Sequence, residues 1–121
     1  MTGTVLIVDD DRETVATLAE ALAEAGFAVR IAYDGEMALD AIDRAQADVV
    51  LADVRMPRLD GVGLLRQLGS REPRTPVLLM TAWPATVGEH APGIPVMRKP
   101  IDLDAVVAAV SAAMGRVRRA T

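Results

Sequence analysis

The sequence has 121 residues, of which 51% are hydrophobic, and this length suits one domain that buries a core without disulfides or structural metal. Acidic residues outnumber basic ones by 17 to 13, and the net charge of −4 argues against a basic nucleic-acid-binding or membrane-surface module. The absence of cysteine excludes disulfide scaffolds, thiolate metal centres and cysteine nucleophiles.

No targeting or membrane-spanning segment is evident in the sequence. Residues 1–4 lead directly into an apolar run, and no basic stretch precedes that run. No apolar run approaches the ~20 residues of a membrane helix. We therefore expect a cytoplasmic protein that does not bind a membrane.

Short apolar runs predict the strands. Four of them are nearly continuous rather than alternating, which is typical of strands covered on both faces in a parallel sheet. A fifth run alternates in part, as an edge strand with one more exposed face would. In chain order the predicted strands are residues 5–8, 28–33 (the alternating run), 49–52, 77–80 and 94–97.

Helical periodicity separates the strands. The first helical segment ends before Gly26, a C-terminal stop, and the last follows Asp102, a candidate N-cap. The alternation of strands and helices predicts a doubly wound α/β sheet. We expect a single domain over 1–121, with a core at 4–114 and a tail or the start of a linker at 115–121. The predicted helices are residues 12–25, 36–45, 62–68 and 103–114.

One segment departs from the regular alternation of strands and helices. Residues 82–95 contain three prolines and two glycines, and proline inside a helix costs about 3 kcal/mol or more. We therefore expect a shortened fourth helix here, beginning near Pro84 and ending by Ala91. His90 is then a solvated loop residue rather than a ligand or phosphodonor.

Polar side chains follow the predicted strands. In a parallel sheet the carboxyl ends of the strands lie on one edge, where open α/β sheets bind ligands. Converging carboxylates repel one another unless a cation joins them, and hard oxygen ligands suit Mg²⁺, so we predict a divalent metal site. The residues concerned are Asp9 and Asp10 after the first strand, Asp53 after the third, Thr81 after the fourth and Lys99 after the fifth, whereas Asp11 is expected to cap the first helix.

This set of side chains could support phosphoryl transfer. An aspartate beside Mg²⁺ can attack phosphorus and form an acyl phosphate. A cation and a hydroxyl group must then neutralise the charge on the transferred oxygens. Lys99, the only lysine among 13 basic residues, supplies the ammonium, and Thr81 supplies the hydroxyl.

The motifs around these residues resemble those of response-regulator receiver domains of two-component signalling, in the CheY-like superfamily. The resemblance extends from residue 5 to about residue 114. It implies a (βα)5 flavodoxin-like three-layer sandwich with parallel strand order 2-1-3-4-5. The motifs are V-D-D at 8–10, D-x-x-M-P-x-x-D-G at 53–61, T-A at 81–82 and K-P at 99–100.

The resemblance also implies a role for each site residue. Asp53 would be the phosphoacceptor, and Mg²⁺ would be the cofactor. In the family's pattern, Asp10, Asp53 and the backbone carbonyl of Arg55 would ligate Mg²⁺ directly, Asp9 would do so mainly through water, and Thr81 and Lys99 would contact the phosphoryl group.

The chain departs from the family at the position three before the lysine. The family usually has an aromatic residue there, whose rotation is coupled to the phosphoryl-contacting hydroxyl, whereas this chain has Val96. The interval from Thr81 to Lys99 is also shorter than usual, as in receivers of hybrid histidine kinases and some stand-alone receivers. We therefore predict an order–disorder or repacking switch in residues 82–95.

Arg55 and Trp83 lie two residues beyond Asp53 and Thr81, respectively. In the family, such positions adjust how easily water reaches the acyl phosphate. Trp83 could shield the site or simply pack within its loop. We predict slow self-hydrolysis of the phosphorylated form.

The expected function is that of a receiver phosphorylated on Asp53 by a histidine kinase or a histidine phosphotransfer protein. We expect no enzymatic activity beyond self-phosphorylation and self-dephosphorylation, no direct nucleic-acid binding, an output partner that the sequence does not identify, and a monomer or weak dimer. One alternative is a haloacid-dehalogenase-like phosphatase, since Asp9-x-Asp11 resembles its catalytic pair, although Arg12-Glu13 departs from its usual Gly-Thr continuation. Another is a phosphorylation-independent binding module, against which the intact set of five residues argues.

Overall fold

The computed structural model describes residues 3–56, 58–71, 75–85 and 95–120, with side chains described as far as residue 116. The strands are β1 (Thr4–Val8), β2 (Ala28–Ala32), β3 (Val49–Asp53), β4 (Val77–Thr81) and β5 (Val96–Arg98), and the helices are α1 (Arg12–Glu24), α2 (Gly35–Arg44), α3 (Gly61–Gly69) and α4 (Leu103–Ala120). Strands and helices alternate as predicted from β1 to β4, and a helix again follows β5.

The five strands form one parallel sheet in the order β2-β1-β3-β4-β5. This confirms the predicted doubly wound arrangement. The strand order reverses between β1 and β3, so the carboxyl ends of these two strands flank the crevice at which such sheets bind ligands.

Two hydrophobic clusters cover the two faces of the sheet, which makes a three-layer sandwich. Alternate residues of each central strand contribute to opposite clusters, as the two-residue period of a strand requires. This explains the continuous apolar runs, because both faces of β1, β3 and β4 are covered. One cluster includes Leu6, Val50 and Leu79 with the buried residues of α2 and α3, and the other includes Ile7, Leu51 and Met80 with those of α1 and α4.

The two edge strands differ from the central ones. β2 is only partly buried, which agrees with its alternating pattern. The fifth strand was predicted at 94–97, of which residue 94 lies outside the described residues; the strand includes 96–97 as predicted, but it omits Pro95 and extends to Arg98. Pro95 precedes this strand and cannot donate a hydrogen bond to the sheet, because proline has no N–H. Its carbonyl does accept a hydrogen bond of 3.1 Å from the N–H of Leu79.

Helix ends follow the predicted signals. After α1, Gly26 takes a φ of 100° and its N–H donates to Ala23, while the N–H of Phe27 donates to Leu22. These two bonds form a Schellman motif, which requires a left-handed residue. Asp102 caps α4 by accepting from the N–H groups of Asp104 and Ala105. That helix continues to Ala120, six residues beyond its predicted end at 114.

The segment between β4 and β5 is described only at its start, where residues 84–85 are helical. A helix beginning at Pro84 agrees with the prediction, because proline is tolerated in the first turn. The predicted extent of the shortened fourth helix, His90 and most of the predicted switch segment lie outside the described residues. Across the described ranges, no helix has the length and apolar character needed to span a bilayer.

Candidate functional site

Three carboxylates converge where the strand order reverses. Asp9 and Asp10 follow β1, and Asp53 ends β3. One oxygen from each lies within 4.8 Å of the others. Asp9 is 1% exposed and Asp53 is 8% exposed, whereas Asp10 is exposed to solvent. A cluster of hard oxygen donors at this spacing suits a divalent cation such as Mg²⁺.

The backbone beyond β1 fixes Asp9. Its Oδ1 accepts a hydrogen bond of 2.9 Å from the N–H of Asp11. Asp11 in turn caps α1, because its carboxylate accepts from the N–H of Glu13 at 3.2 Å and from the hydroxyl of Thr14 at 2.7 Å. This confirms the capping role predicted for Asp11. It also argues against the phosphatase alternative, in which that carboxylate would serve as an acid or base.

A close backbone approach fixes Asp53. The N–H of Gly61 donates a 3.0 Å hydrogen bond to the carbonyl of Val54, and the N–H of Val54 donates to Met80 at 2.9 Å. A Cβ atom at position 61 would lie 2.4 Å from the carbonyl oxygen of Asp53. Only glycine therefore allows α3 to begin this close to the carboxylate-bearing end of β3.

Lys99 joins two of the carboxylates. Its Nζ lies 3.1 Å from Oδ1 of Asp53 and 3.3 Å from Oδ2 of Asp9. Its backbone N–H donates to the carbonyl of Thr81 at 2.8 Å, which anchors the residue to the end of β4. The ammonium group is thus placed directly beside the carboxylate expected to react.

Burial and charge oppose each other in this cluster. Burial raises the pKa of Asp9, although the N–H of Asp11 and the charge of Lys99 partly offset it. Burial also raises the pKa of Asp53, and the nearby charge of Asp9 raises it further. Burial tends to lower the pKa of Lys99, but its contacts with Asp53 and Asp9 outweigh burial and raise that pKa. Negative charge in this cluster is therefore unfavourable, and a bound cation would relieve it.

This electrostatic arrangement predicts that Asp53→Asn stabilises the metal-free protein. Because the pKa of Asp53 is raised in the folded state, the folded protein holds a proton on this carboxyl group more tightly than the unfolded protein does. The stability gained from that proton in acid is lost as the pH rises through the raised pKa, so ionised Asp53 lowers the free energy of unfolding at neutral pH. We expect the variant to unfold at higher urea concentration than the wild type at pH 7, with a smaller difference in acid.

Mg²⁺ serves as the control for this comparison. Added Mg²⁺ should stabilise the wild type by mass action and should stabilise Asp53→Asn much less. If Asp53→Asn is instead less stable than the metal-free wild type at pH 7, the charge of Asp53 does not destabilise the folded protein, and the prediction is wrong.

Thr81 ends β4, which pairs with β3 on the side opposite β1. It is buried, and its Oγ1 accepts a hydrogen bond of 3.1 Å from the N–H of Trp83. The Trp83 ring is 55% exposed and stacks on Arg55, whose guanidinium carbon lies 4.2 Å from the ring centre. A cation–π contact therefore joins the residues that follow β3 to those that follow β4, on the side of β3 away from β1.

Arg55 and Val96 occupy different parts of the site. Arg55 lines a surface depression of about 450 Å³ together with Asp10, Val54, Met56 and Asp60. Arg55 therefore borders the same depression as the exposed carboxylate of Asp10. Val96 pairs with Leu79 in the sheet and packs, partly buried, against the cluster that contains α2 and α3.

Sequence reasoning missed two arginine contacts at this edge of the sheet. Arg58 forms an ion pair with Asp34, with Nη1 and Oδ2 3.0 Å apart. The guanidinium carbon of Arg12 lies 4.1 Å from the centre of the Tyr33 ring. Each contact joins residues about 20 positions apart, and no local pattern signals such a pairing.

Comparison with known proteins places the chain among signalling proteins. The family described as response regulator receiver domain matches residues 5–111. The DNA-binding transcriptional regulator NtrC of Escherichia coli strain K12 is 39% identical over 93% of this chain and 25% of its own length. The response regulator MprA of Mycobacterium bovis is 36% identical over 98% of this chain and 53% of its own.

The same likeness holds in three dimensions. The signal receiver domain of a signal transduction histidine kinase from Syntrophus aciditrophicus superposes with a TM-score of 0.88 at 26% identity, covering 97% of this chain and 93% of that one. The chain spans about a quarter of NtrC and about half of MprA, so its likeness to those two proteins concerns one part of each. The family match, the curated relatives and the fold agree, and the chain belongs to the response regulator receiver domain family of two-component systems.

Proposed function

We propose that Asp53 of this receiver accepts a phosphoryl group from a histidine of a kinase or of a histidine phosphotransfer protein. The observation that carries the proposal is the position of Lys99, whose Nζ lies 3.1 Å from Oδ1 of the buried Asp53 carboxylate. A carboxylate with a purely structural role would not need Lys99 and two further carboxylates beside it. A phosphoacceptor needs a cation close enough to contact the oxygens of the incoming phosphoryl group, over which the negative charge is spread.

The transfer itself is a single displacement at phosphorus. A carboxylate oxygen of Asp53 forms a bond to phosphorus, while the bond from phosphorus to the donor's imidazole nitrogen breaks. The electron pair of that bond leaves with the imidazole, which then takes a proton from solvent. The product is an acyl phosphate on Asp53.

Residues of this chain stabilise the transferred group. The ammonium of Lys99 is a compact charge beside the Asp53 carboxylate, within reach of a phosphoryl group bonded to it, and the hydroxyl of Thr81 can donate to a phosphoryl oxygen. Asp10, Asp53 and the carbonyl of Arg55 would hold Mg²⁺, with Asp9 acting mainly through water. Bound Mg²⁺ would supply positive charge that offsets the carboxylates and the incoming phosphoryl oxygens.

The remaining features of the proposal follow from this role. The phosphorylated form shifts its conformation and its affinity for an output partner, and the chain has no activity beyond its own phosphorylation and dephosphorylation. We also propose that the protein is a cytoplasmic receiver with its core at 4–114 and that it is a monomer or weak dimer. In this proposal it binds neither nucleic acid nor membrane directly.

The Arg55–Trp83 contact supports a slow loss of the phosphoryl group. The stack joins the residues that follow β3 and β4, the strands that end in Asp53 and Thr81, and we expect it to limit the approach of water to the phosphorylated Asp53. We expect Arg55→Ala and Trp83→Ala each to shorten the lifetime of the phosphorylated protein about threefold, as the loss of an exposed cation–π contact would. The decay is followed by intact mass after removal of the phosphodonor.

Arg98→Ala is the matched control for this measurement, because it removes another exposed arginine near the same edge of the sheet. Its lifetime should equal that of the wild type. An unchanged lifetime in both Arg55→Ala and Trp83→Ala would show that the stack only packs the loop.

Acetyl phosphate provides the test of the proposed function. With Mg²⁺, the wild type should gain one phosphoryl group by intact mass, and Asp53→Asn should gain none. Removing Mg²⁺ with EDTA should abolish the adduct. A wild type that binds Mg²⁺ but forms no adduct would favour the phosphorylation-independent binding module.

A further inference from the structure

An ion pair lies beside the loop that joins β3 to α3, here called the β3–α3 loop (residues 54–60). Asp34 precedes α2, and only 8% of its side chain is exposed. Its Oδ2 lies 3.0 Å from Nη1 of Arg58, and its Oδ1 accepts a hydrogen bond of 2.8 Å from the N–H of Met37. One buried carboxylate thus caps a helix and holds the loop.

The backbone of Arg58 is held in an unusual conformation. Its φ is 67°, in the left-handed region, which costs a residue with a Cβ roughly 1–2 kcal/mol. Such conformations persist where the surroundings fix them. Glycine would adopt this φ without that cost. Arginine at this position has the backbone strain but also makes the side-chain contact with Asp34, which glycine could not make.

Further contacts fix the two residues after Arg58. A Cβ atom at Gly35 would lie 2.2 Å from the carbonyl oxygen of Leu59, so the loop packs directly on the first turn of α2. Asp60 accepts a 2.7 Å hydrogen bond from the N–H of Gly63 and caps α3. Residues 58–60 are therefore anchored to both helices.

Little chain separates this anchor from the reacting carboxylate. Only four residues lie between Asp53 and Arg58, and the second of them is Arg55. The Arg55 carbonyl, the expected Mg²⁺ ligand, therefore belongs to a short stretch of chain with a fixed point on each side, although residue 57 within that stretch lies outside the described residues. One fixed point is β3, and the other is the Asp34–Arg58 ion pair.

We propose that the Asp34–Arg58 ion pair positions the Arg55 carbonyl for Mg²⁺, so that both residues are positioning residues and neither is a ligand. This inference rests on the proposed function, because it concerns the same metal site. The Arg58 side chain is 65% exposed, and exposed ion pairs have modest strength. Breaking the pair should therefore weaken Mg²⁺ binding about fivefold.

Arg58→Gly separates positioning from stability. Glycine removes the ion pair but relieves the left-handed strain, so the free energy of unfolding should stay unchanged or rise. The Kd for Mg²⁺, measured by calorimetric titration with MgCl2, should nevertheless increase about fivefold. Arg58→Lys keeps the charge and should restore most of the affinity. If affinity and stability instead change together in these variants, the pair has only a structural role.

Asp34→Asn gives an independent test, because asparagine still caps the helix but lacks the charge. It should weaken Mg²⁺ binding as much as Arg58→Gly, and the double variant should be no weaker than either single one. Arg71→Ala is the matched control: it breaks an ion pair with Asp43 beyond the far end of α3 and should leave the Kd unchanged.

The outcomes distinguish this inference from the proposed function. Equal Mg²⁺ affinity in the wild type and in all Asp34 and Arg58 variants would overturn the positioning role and leave the metal site intact. A wild type that does not bind Mg²⁺ would overturn the proposed function and this inference with it.

Discussion

Replacing Gly61 with alanine is expected to lower the free energy of unfolding by about 2 kcal/mol. The new Cβ would lie 2.4 Å from the carbonyl oxygen of Asp53 and 3.0 Å from the Cα of Val54. These are backbone atoms that cannot rotate away, and inserting a methyl group into a filled space typically costs about 1–3 kcal/mol. Urea unfolding measures the loss.

Gly69→Ala is the matched control, because Gly69 lies in the same helix and a Cβ there would meet nothing within 4 Å. Alanine at such a helical position should stabilise the protein by about 0.5–1 kcal/mol. The two substitutions should therefore have opposite signs. Equal effects would mean that α3 can move away from β3 at little cost. Since the clash falls on Asp53 itself, Gly61→Ala should also slow adduct formation.

Replacing Lys99 with methionine should reduce the rate of phosphorylation by acetyl phosphate about 100-fold. The ammonium lies 3.1 Å from Oδ1 of Asp53, and removing one preorganised donor from a developing anion commonly costs about 100-fold or more in rate. The growth of the phosphoryl adduct over time, at saturating Mg²⁺, gives this rate by intact mass.

Mg²⁺ affinity distinguishes this effect from general damage to the site. Because Lys99→Met removes a positive charge next to the carboxylates, the variant should bind Mg²⁺ at least as tightly as the wild type. Arg98→Ala removes the neighbouring, exposed cation and should leave the rate unchanged. A Lys99→Met protein that is phosphorylated at the wild-type rate would show that the ammonium does not stabilise the transferred group.

The sequence was sufficient to predict which side chains the fold brings together. Continuous apolar runs indicate strands covered on both faces, and a parallel sheet collects the residues that follow its strands at one edge. The side chains of Asp9, Asp10, Asp53 and Lys99 could therefore be placed together without coordinates. The structure confirms their proximity, with three carboxylates within 4.8 Å and Lys99 bonded to two of them.

Details that depend on tertiary contacts could not be predicted in this way. The stack of Arg55 on Trp83 and the pairing of Asp34 with Arg58 depend on how two loops meet, and loop residues have no period. The left-handed φ of Arg58 could not be predicted either, because in a sequence such a conformation is normally indicated by a glycine. The fifth strand was misplaced because Ile94 and Pro95 extend its apolar run, although proline cannot donate to a ladder.

The measurement that tests the central claim most directly is the location of the acyl phosphate. Borohydride reduces an aspartyl phosphate to homoserine, which peptide mass spectrometry can assign to one residue. After treatment with acetyl phosphate and Mg²⁺, we predict homoserine at position 53 and unmodified aspartate at positions 9 and 10. Homoserine at another carboxylate, or an adduct of equal yield in Asp53→Asn, would contradict the assignment of Asp53 as the phosphoacceptor.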